Sequence, residues 1–132
     1  MKRTVIFSLF LFLSSLVMAE LPIPTSRVLV YYFHFAKQGK SGMDVENVSR
    51  NAVLALYPVK VKRNEFFFKS INLDDKDGAA LGKKYGIKKT TLVVILDEKR
   101  VDLTKKAFKF ATGQPDKLRE EIRLAVESLL KQ

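Results

Sequence analysis

The chain has 132 residues, with 24 Lys and Arg against 14 Asp and Glu, a formal charge of +10, no cysteine and one histidine. That composition excludes thiol chemistry, disulfide cross-links and any metal site built from several histidines, and it turns the surface toward anionic partners. The basic residues are dispersed, among them Lys60, Lys62, Lys83, Lys88 and Lys105, so they describe a solvated surface rather than one binding stripe.

Lys2 and Arg3 precede the apolar run Val5 to Val17, which closes on Val17-Met18-Ala19. A charged start, an apolar middle and a small residue at the end form the pattern of a secretory signal. The run falls short of the roughly 18 apolar residues of a spanning helix, so residues 1–19 are expected to be cleaved and no transmembrane segment to remain. The mature chain is then expected in the periplasm or secreted, with 22 basic and 14 acidic side chains and a charge of +8. No cysteine follows Ala19, which excludes lipid attachment there. Residues 20–26 carry Pro22 and Pro24 and form a stiff lead-in. Residues 27–132 suit one domain with one core, which must hold without the disulfides that small exported domains commonly use.

Arg27 to Phe35 is nearly continuous in β-branched and aromatic residues, the pattern of a strand buried on both faces. A glycine-framed turn follows, and Asp44 is placed to cap a helix with Val45, Val48, Ala52, Val53, Leu56 and Tyr57 on one face, ended by Pro58. Glu65 to Asp74 reads as a second central strand. A short helix from about Gly78 to Tyr85 is closed by Gly86. Thr91 to Asp97 is a third strand, and Asp97 to Arg100 a turn into a short strand, Val101 to Leu103. Thr104 caps a helical turn through Ala107, Phe108 and Ala111, and Gly113 breaks it. Pro115 opens a last helix with Leu118, Ile122, Ala125, Val126 and Leu129 on one face. The helix between the first two strands suits a parallel pair and the tight turn after Asp97 an antiparallel one, giving a mixed sheet flanked by helices in an α/β fold.

Four residues, Gly39-Lys40-Ser41-Gly42, stand where chemistry is commonly found, between a strand and a helix. A phosphate loop shares the Gly-Lys-Ser ending, and Asp97 after an apolar strand offers a magnesium ligand. That motif also needs a glycine five places before Gly39, where this chain has His34, so the backbone cannot readily wrap a phosphate. A second possibility is a redox site without its cysteines, and a third a plain bend. His34 allows a triad only with Ser41 or Ser49 as nucleophile and Asp44 or Glu46 behind it, and no GxSxG elbow is present. Contact with backbone is the simpler expectation for His34. The acidic cluster Asp74, Asp75 and Asp77 lacks the spacing of a calcium loop and is expected to cap the next helix. Phe66, Phe67, Phe68, Phe108 and Phe110 are expected mostly in the core, and an exported chain is not expected to bind nucleic acid. No cofactor or metal is called for.

Tyr31-Tyr32-Phe33-His34, the Gly39 and Gly42 pair, "SINLD" at Ser70 to Asp74, "KKYGI" at Lys83 to Ile87, Thr90 to Val94 and "DLT" at Asp102 to Thr104 follow in one order and spacing. In that order the chain resembles small exported proteins of the thioredoxin-like superfamily over nearly all of residues 27–132. The resemblance implies a thioredoxin-like fold in which Gly39 and Gly42 occupy the positions of the CxxC cysteines and Thr90 that of the proline before the third main strand. Glycine supplies neither nucleophile nor leaving group, so the chain by itself is not a thiol-disulfide oxidoreductase. The resemblance implies instead a binding or accessory protein of the periplasm or envelope, with a groove at His34, Lys37, Lys40, Ser41 and Thr90 for a protein or peptide segment or an anionic surface. The alternative is an enzyme of non-thiol chemistry binding phosphate or nucleotide at Gly39 to Gly42.

Overall fold

A computed structural model describes residues 27–132, and the expected signal and lead-in, residues 1–26, lie outside the described residues. Strand β1 (Val28–His34) runs into helix α1 (Lys40–Leu56) and the short α2 (Pro58–Lys62). Then come β2 (Phe66–Asn72), α3 (Lys76–Tyr85), β3 (Thr91–Leu96), β4 (Lys99–Asp102), α4 (Thr104–Phe110) and α5 (Pro115–Leu130). The strands form one sheet in the order β2-β1-β3-β4. β1 lies parallel to β2, with Val28 opposite Phe66 and His34 opposite Asn72. It lies antiparallel to β3, with Phe33 opposite Thr91, and β3 pairs antiparallel with β4. The expected mixed sheet flanked by helices is present, with β1/β2 parallel and β3/β4 antiparallel as their connections imply; the antiparallel pairing of β1 with β3 is not among the sequence expectations.

Because side chains alternate along a strand, β1 and β3 feed two cores. Val28, Val30, Tyr32, Leu92, Val94 and Leu96 pack against α1, α4 and α5, while Phe33, Val93 and Ile95 meet Ile71, Ile87 and the partly buried Leu81 of α3 on the other face. Every residue of β3 is buried. All five apolar positions expected on one face of α5 are buried, and Pro115 stands in its first turn. Gly86 closes α3 in the left-handed conformation, as expected. Gly78 lets α3 approach the end of β2, since a Cβ there would lie 1.8 Å from the Asn72 carbonyl oxygen.

Tertiary packing departs from the sequence expectations at several points. Among the described residues, β2 lies at the edge of the sheet rather than at its centre. Its aromatic rings are screened by charge instead of a neighbouring strand, the Arg27 guanidinium lying over Phe67 and that of Arg50 over Phe68. Among the five phenylalanines expected mostly in the core, only Phe66 is fully buried, and Phe108 is 41% exposed. α1 begins at Lys40, four residues ahead of the expected cap at Asp44, because the Met43 amide already donates to the Gly39 carbonyl at 3.1 Å. Pro58 ends α1 but also opens α2, a position that costs no hydrogen bond. The hairpin turn is only Asp97 and Glu98, with Asp97 at φ 56°, so Lys99 and Arg100 already belong to β4. Thr104 does not cap α4. Its hydroxyl donates to Asp102 at 2.6 Å and accepts from the Leu92 amide at 3.0 Å, tying the helix start to β3.

Ser49 sits in the buried face of α1, fully enclosed, and its hydroxyl has no hydrogen-bond partner. A buried hydroxyl without a partner is destabilising, and alanine is the better helix former. Ser49→Ala is therefore expected to stabilise the chain by about 1 kcal/mol, read as a higher urea midpoint at unchanged slope. A lower midpoint would show that the hydroxyl is satisfied.

Candidate functional site

β1 and β2 are parallel neighbours whose following helices leave toward opposite faces, α1 over one and α3 over the other. Adjacent strand ends that diverge in this way open a crevice beyond their carboxyl ends. The two loops are stitched across it. The Leu73 amide donates to the His34 carbonyl at 2.7 Å, and the Ala36 amide to the Asp74 carboxylate at 2.8 Å. Asp74 thus holds the loop after β1 rather than capping α3, and Asp75, at the N-cap position, makes no side-chain capping bond.

On the α1 side of this crevice lies a continuous polar network. Tyr32 and His34 share one face of β1, their rings stacked at 5.4 Å. Ser70 lies on the same face of β2, opposite Tyr32 in the register. The His34 Nε2 is 2.8 Å from the Ser70 Oγ, and the Ser70 hydroxyl donates to the Glu46 carboxylate from α1. Glu46 also receives the Gln38 amide at 3.4 Å and the Arg50 guanidinium at 3.6 Å. Gln38 in turn accepts from the Tyr32 hydroxyl at 3.1 Å. Six side chains from two strands, a loop and a helix form one connected system.

The partners fix the tautomer of His34. Its Nδ1 faces the Phe35 carbonyl at 2.8 Å, and a carbonyl only accepts, so Nδ1 carries a hydrogen. The Ser70 hydroxyl lies within hydrogen-bond distance of both Nε2 and the Glu46 carboxylate. Ser70 therefore bridges His34 and Glu46, which stand 3.9 Å apart. This is not the order of a nucleophilic triad, because Glu46 reaches the hydroxyl instead of the histidine Nδ1.

The expected site residues lie at this end of the sheet and around the start of α1. His34 makes the expected backbone contact through Nδ1, and its Nε2 is engaged by Ser70. Gly39 to Gly42 are not a free turn: Gly39 is the N-cap of α1, in extended backbone at φ −75° and ψ 179°, and Lys40, Ser41 and Gly42 form the first helical turn. Lys40 is 79% exposed and pairs at 2.9 Å with Asp44, which also receives the Thr112 hydroxyl at 2.8 Å. Those two hydrogen bonds, the lysine's first, hold the Asp44 carboxyl below its usual range. Lys37 and Ser41 are exposed and Thr90 half-buried. Thr90 precedes β3 at the same end of the sheet as His34. Asp97 follows β3 at the opposite end, beside the start of β1, so Lys40, Ser41 and Asp97 cannot hold one metal-bound phosphate. Ser41 and Ser49 do not meet His34. The serine that does is Ser70, and its signal in the sequence was a polar residue on the core-facing phase of a strand after Phe66 and Phe68. Among the described residues, no cluster of three or more His, Asp or Glu side chains is arranged to hold a metal ion. No helix among them is long and apolar enough to cross a membrane.

No protein-family model, curated protein or solved structure matches the chain.

Burial first, and the Glu46 carboxylate second, push the Tyr32 phenol from 10.0 up to about 12. A phenol raised on folding contributes stability that is complete below pH 10 and is lost as pH rises toward 12, because the unfolded chain ionises first. Tyr32→Phe is expected to lose less stability than the wild type across that interval in urea unfolding, and equal losses would refute the raised phenol. Ser70→Ala strips Glu46 and His34 of their shared partner and is expected to cost about 1–3 kcal/mol at neutral pH. A neutral effect there would mean that the hydroxyl bridges nothing.

Proposed function

We propose that the chain is a thioredoxin-like domain, exported to the periplasm or outside the cell, that binds an extended protein or peptide segment and performs no thiol chemistry of its own. The observation that carries this reading is the position of the two glycines. They stand at the N-cap and third helical residue of the helix that follows the first strand. A thiol at a helix start is activated by the unpaired amides and the positive end of the helix dipole, so this is where a redox cysteine pair would sit. Support also comes from the sheet order β2-β1-β3-β4 with one parallel and two antiparallel pairs, and from Thr90 standing before β3 at the same end of the sheet.

With glycine at the N-cap, α1 has no side-chain capping bond and no acid in its first turn. Its first amides are left for an acceptor from outside the helix, such as a carbonyl or carboxylate of a bound segment. Ser41 stands in that turn and Lys37 in the loop before it, while Lys40 is paired with Asp44. The basic surface favours an acidic segment. Export of the chain rests on the Lys2-Arg3 start, the apolar run and Ala19.

The two glycines differ in the room they leave. A Cβ at Gly39 would meet nothing within 4 Å, whereas one at Gly42 would come within 2.9 Å of the Gln38 Oε1 and 3.0 Å of the Tyr32 hydroxyl. Gly39→Cys is therefore expected to fold unchanged, and Gly42→Cys to displace the Gln38 side chain. The Gly39→Cys/Gly42→Cys double variant is expected to form a reversible disulfide with a reduction potential in the range of thioredoxin-family proteins, about −270 to −120 mV. The wild type is expected to remain inert toward insulin disulfides. If the Gly39→Cys single variant folds and the two thiols of the double variant do not pair, the first turn of α1 is not a CxxC site and the thioredoxin-like reading falls.

A further inference from the structure

On the α3 side of the strand ends, away from the polar network, lies a concavity of about 390 Å³ lined by Phe35, Leu73, Ala79, Lys83, Gly86, Ile87 and Lys88. Its size falls within the range of small-ligand sites. The lining divides sharply by chemistry. Phe35, Leu73, Ala79 and Ile87 supply an apolar floor, and the polar side chains are two ammonium groups. Phe35, 39% exposed, is the aromatic side chain of the lining. Lys83 and Lys88 enter no ion pair among the described residues. Lys84 and Lys89 adjoin them in sequence, and no lining residue is acidic.

We infer that this concavity binds a small amphiphilic carboxylate, an aliphatic chain with one anionic head group. The apolar chain removes the floor from water, and the head group sits between Lys83 and Lys88, whose charges are not neutralised by the protein. A peptide is a poorer occupant, because its backbone would enter a lining whose side chains offer no hydrogen-bond acceptor for its amides. A cationic or neutral amphiphile would gain the same apolar contacts and lose the charge pairing. The inference does not depend on the function proposed above, since it uses no residue of the first turn of α1.

The test is an NMR titration of the isotope-labelled full chain with decanoate below its micellar concentration, with decyltrimethylammonium as the probe of equal tail and opposite charge. Decanoate is expected to move the amides of Leu73, Ala79, Gly86 and Ile87 saturably, and the cationic probe to leave them in place. Two variants separate binding from folding. Lys83→Glu/Lys88→Glu changes only exposed side chains and is expected to weaken binding by about ten-fold or more. Ala79→Trp fills the concavity from the exposed face of α3 and is expected to abolish the shifts. The inference is overturned if the four amides do not respond, if both amphiphiles move them alike, or if binding survives both folded variants within about ten-fold.

Discussion

β1 is hydrogen-bonded on both sides, parallel to β2 and antiparallel to β3, and the placement of every other functional element follows from that double pairing. The register sets His34 opposite Asn72 and Phe33 opposite Thr91, so the chain leaves β1, leaves β2 and enters β3 at one end of the sheet. A slip of one residue would exchange the faces of Tyr32 and Phe33 and dismantle both cores at once. The buried apolar rows therefore fix the location of the crevice as firmly as they fix the fold.

The polar network is supported by that same register. Polar groups in a core-facing row are tolerated only when their hydrogen bonds are completed, and here each of Tyr32, His34 and Ser70 finds a partner within the network. Gln38 and Glu46 complete it from the loop and from α1, so the start of the helix is tied to the ends of both strands. The cost of a missing member is high in such a setting, because a buried donor or acceptor without a partner loses its water and gains nothing. The network thus holds the first turn of α1 in place without cysteines, a disulfide or a metal ligand.

Charge is distributed by role. Lys40, the cation of the Gly-Lys-Ser sequence, is paired within its own helix, and Arg27 and Arg50 shield the aromatic rings of the edge strand. Arg123 joins Glu120 and Glu127 on the surface of α5, where exposed pairs contribute little to stability. Lys83 and Lys88 stand apart from these internal uses beside an apolar floor. A net charge read from composition cannot distinguish a lysine that is spent within the protein from one that is not.

The sequence by itself determined the α/β class, the four strands to within about two residues, the parallel pairing of β1 with β2, the antiparallel pairing of β3 with β4 and the whole buried face of α5. These follow from periodicity and connection length, which are local properties of the chain. It also singled out His34 and Gly39 to Gly42, which the fold places at the end of β1 and across the start of α1. Tertiary structure alone decided that β2 lies at the edge of the sheet among the described residues, since a run of phenylalanines reads the same whether strands or arginines cover it. It alone joined Ser70 to His34 and Glu46, residues separated by 36 and 24 positions, because no local pattern encodes which side chains meet across a sheet and a helix. And it set Asp97 at the far end of the sheet from Lys40, where strand direction, rather than the spelling of either segment, forbids the two from acting together.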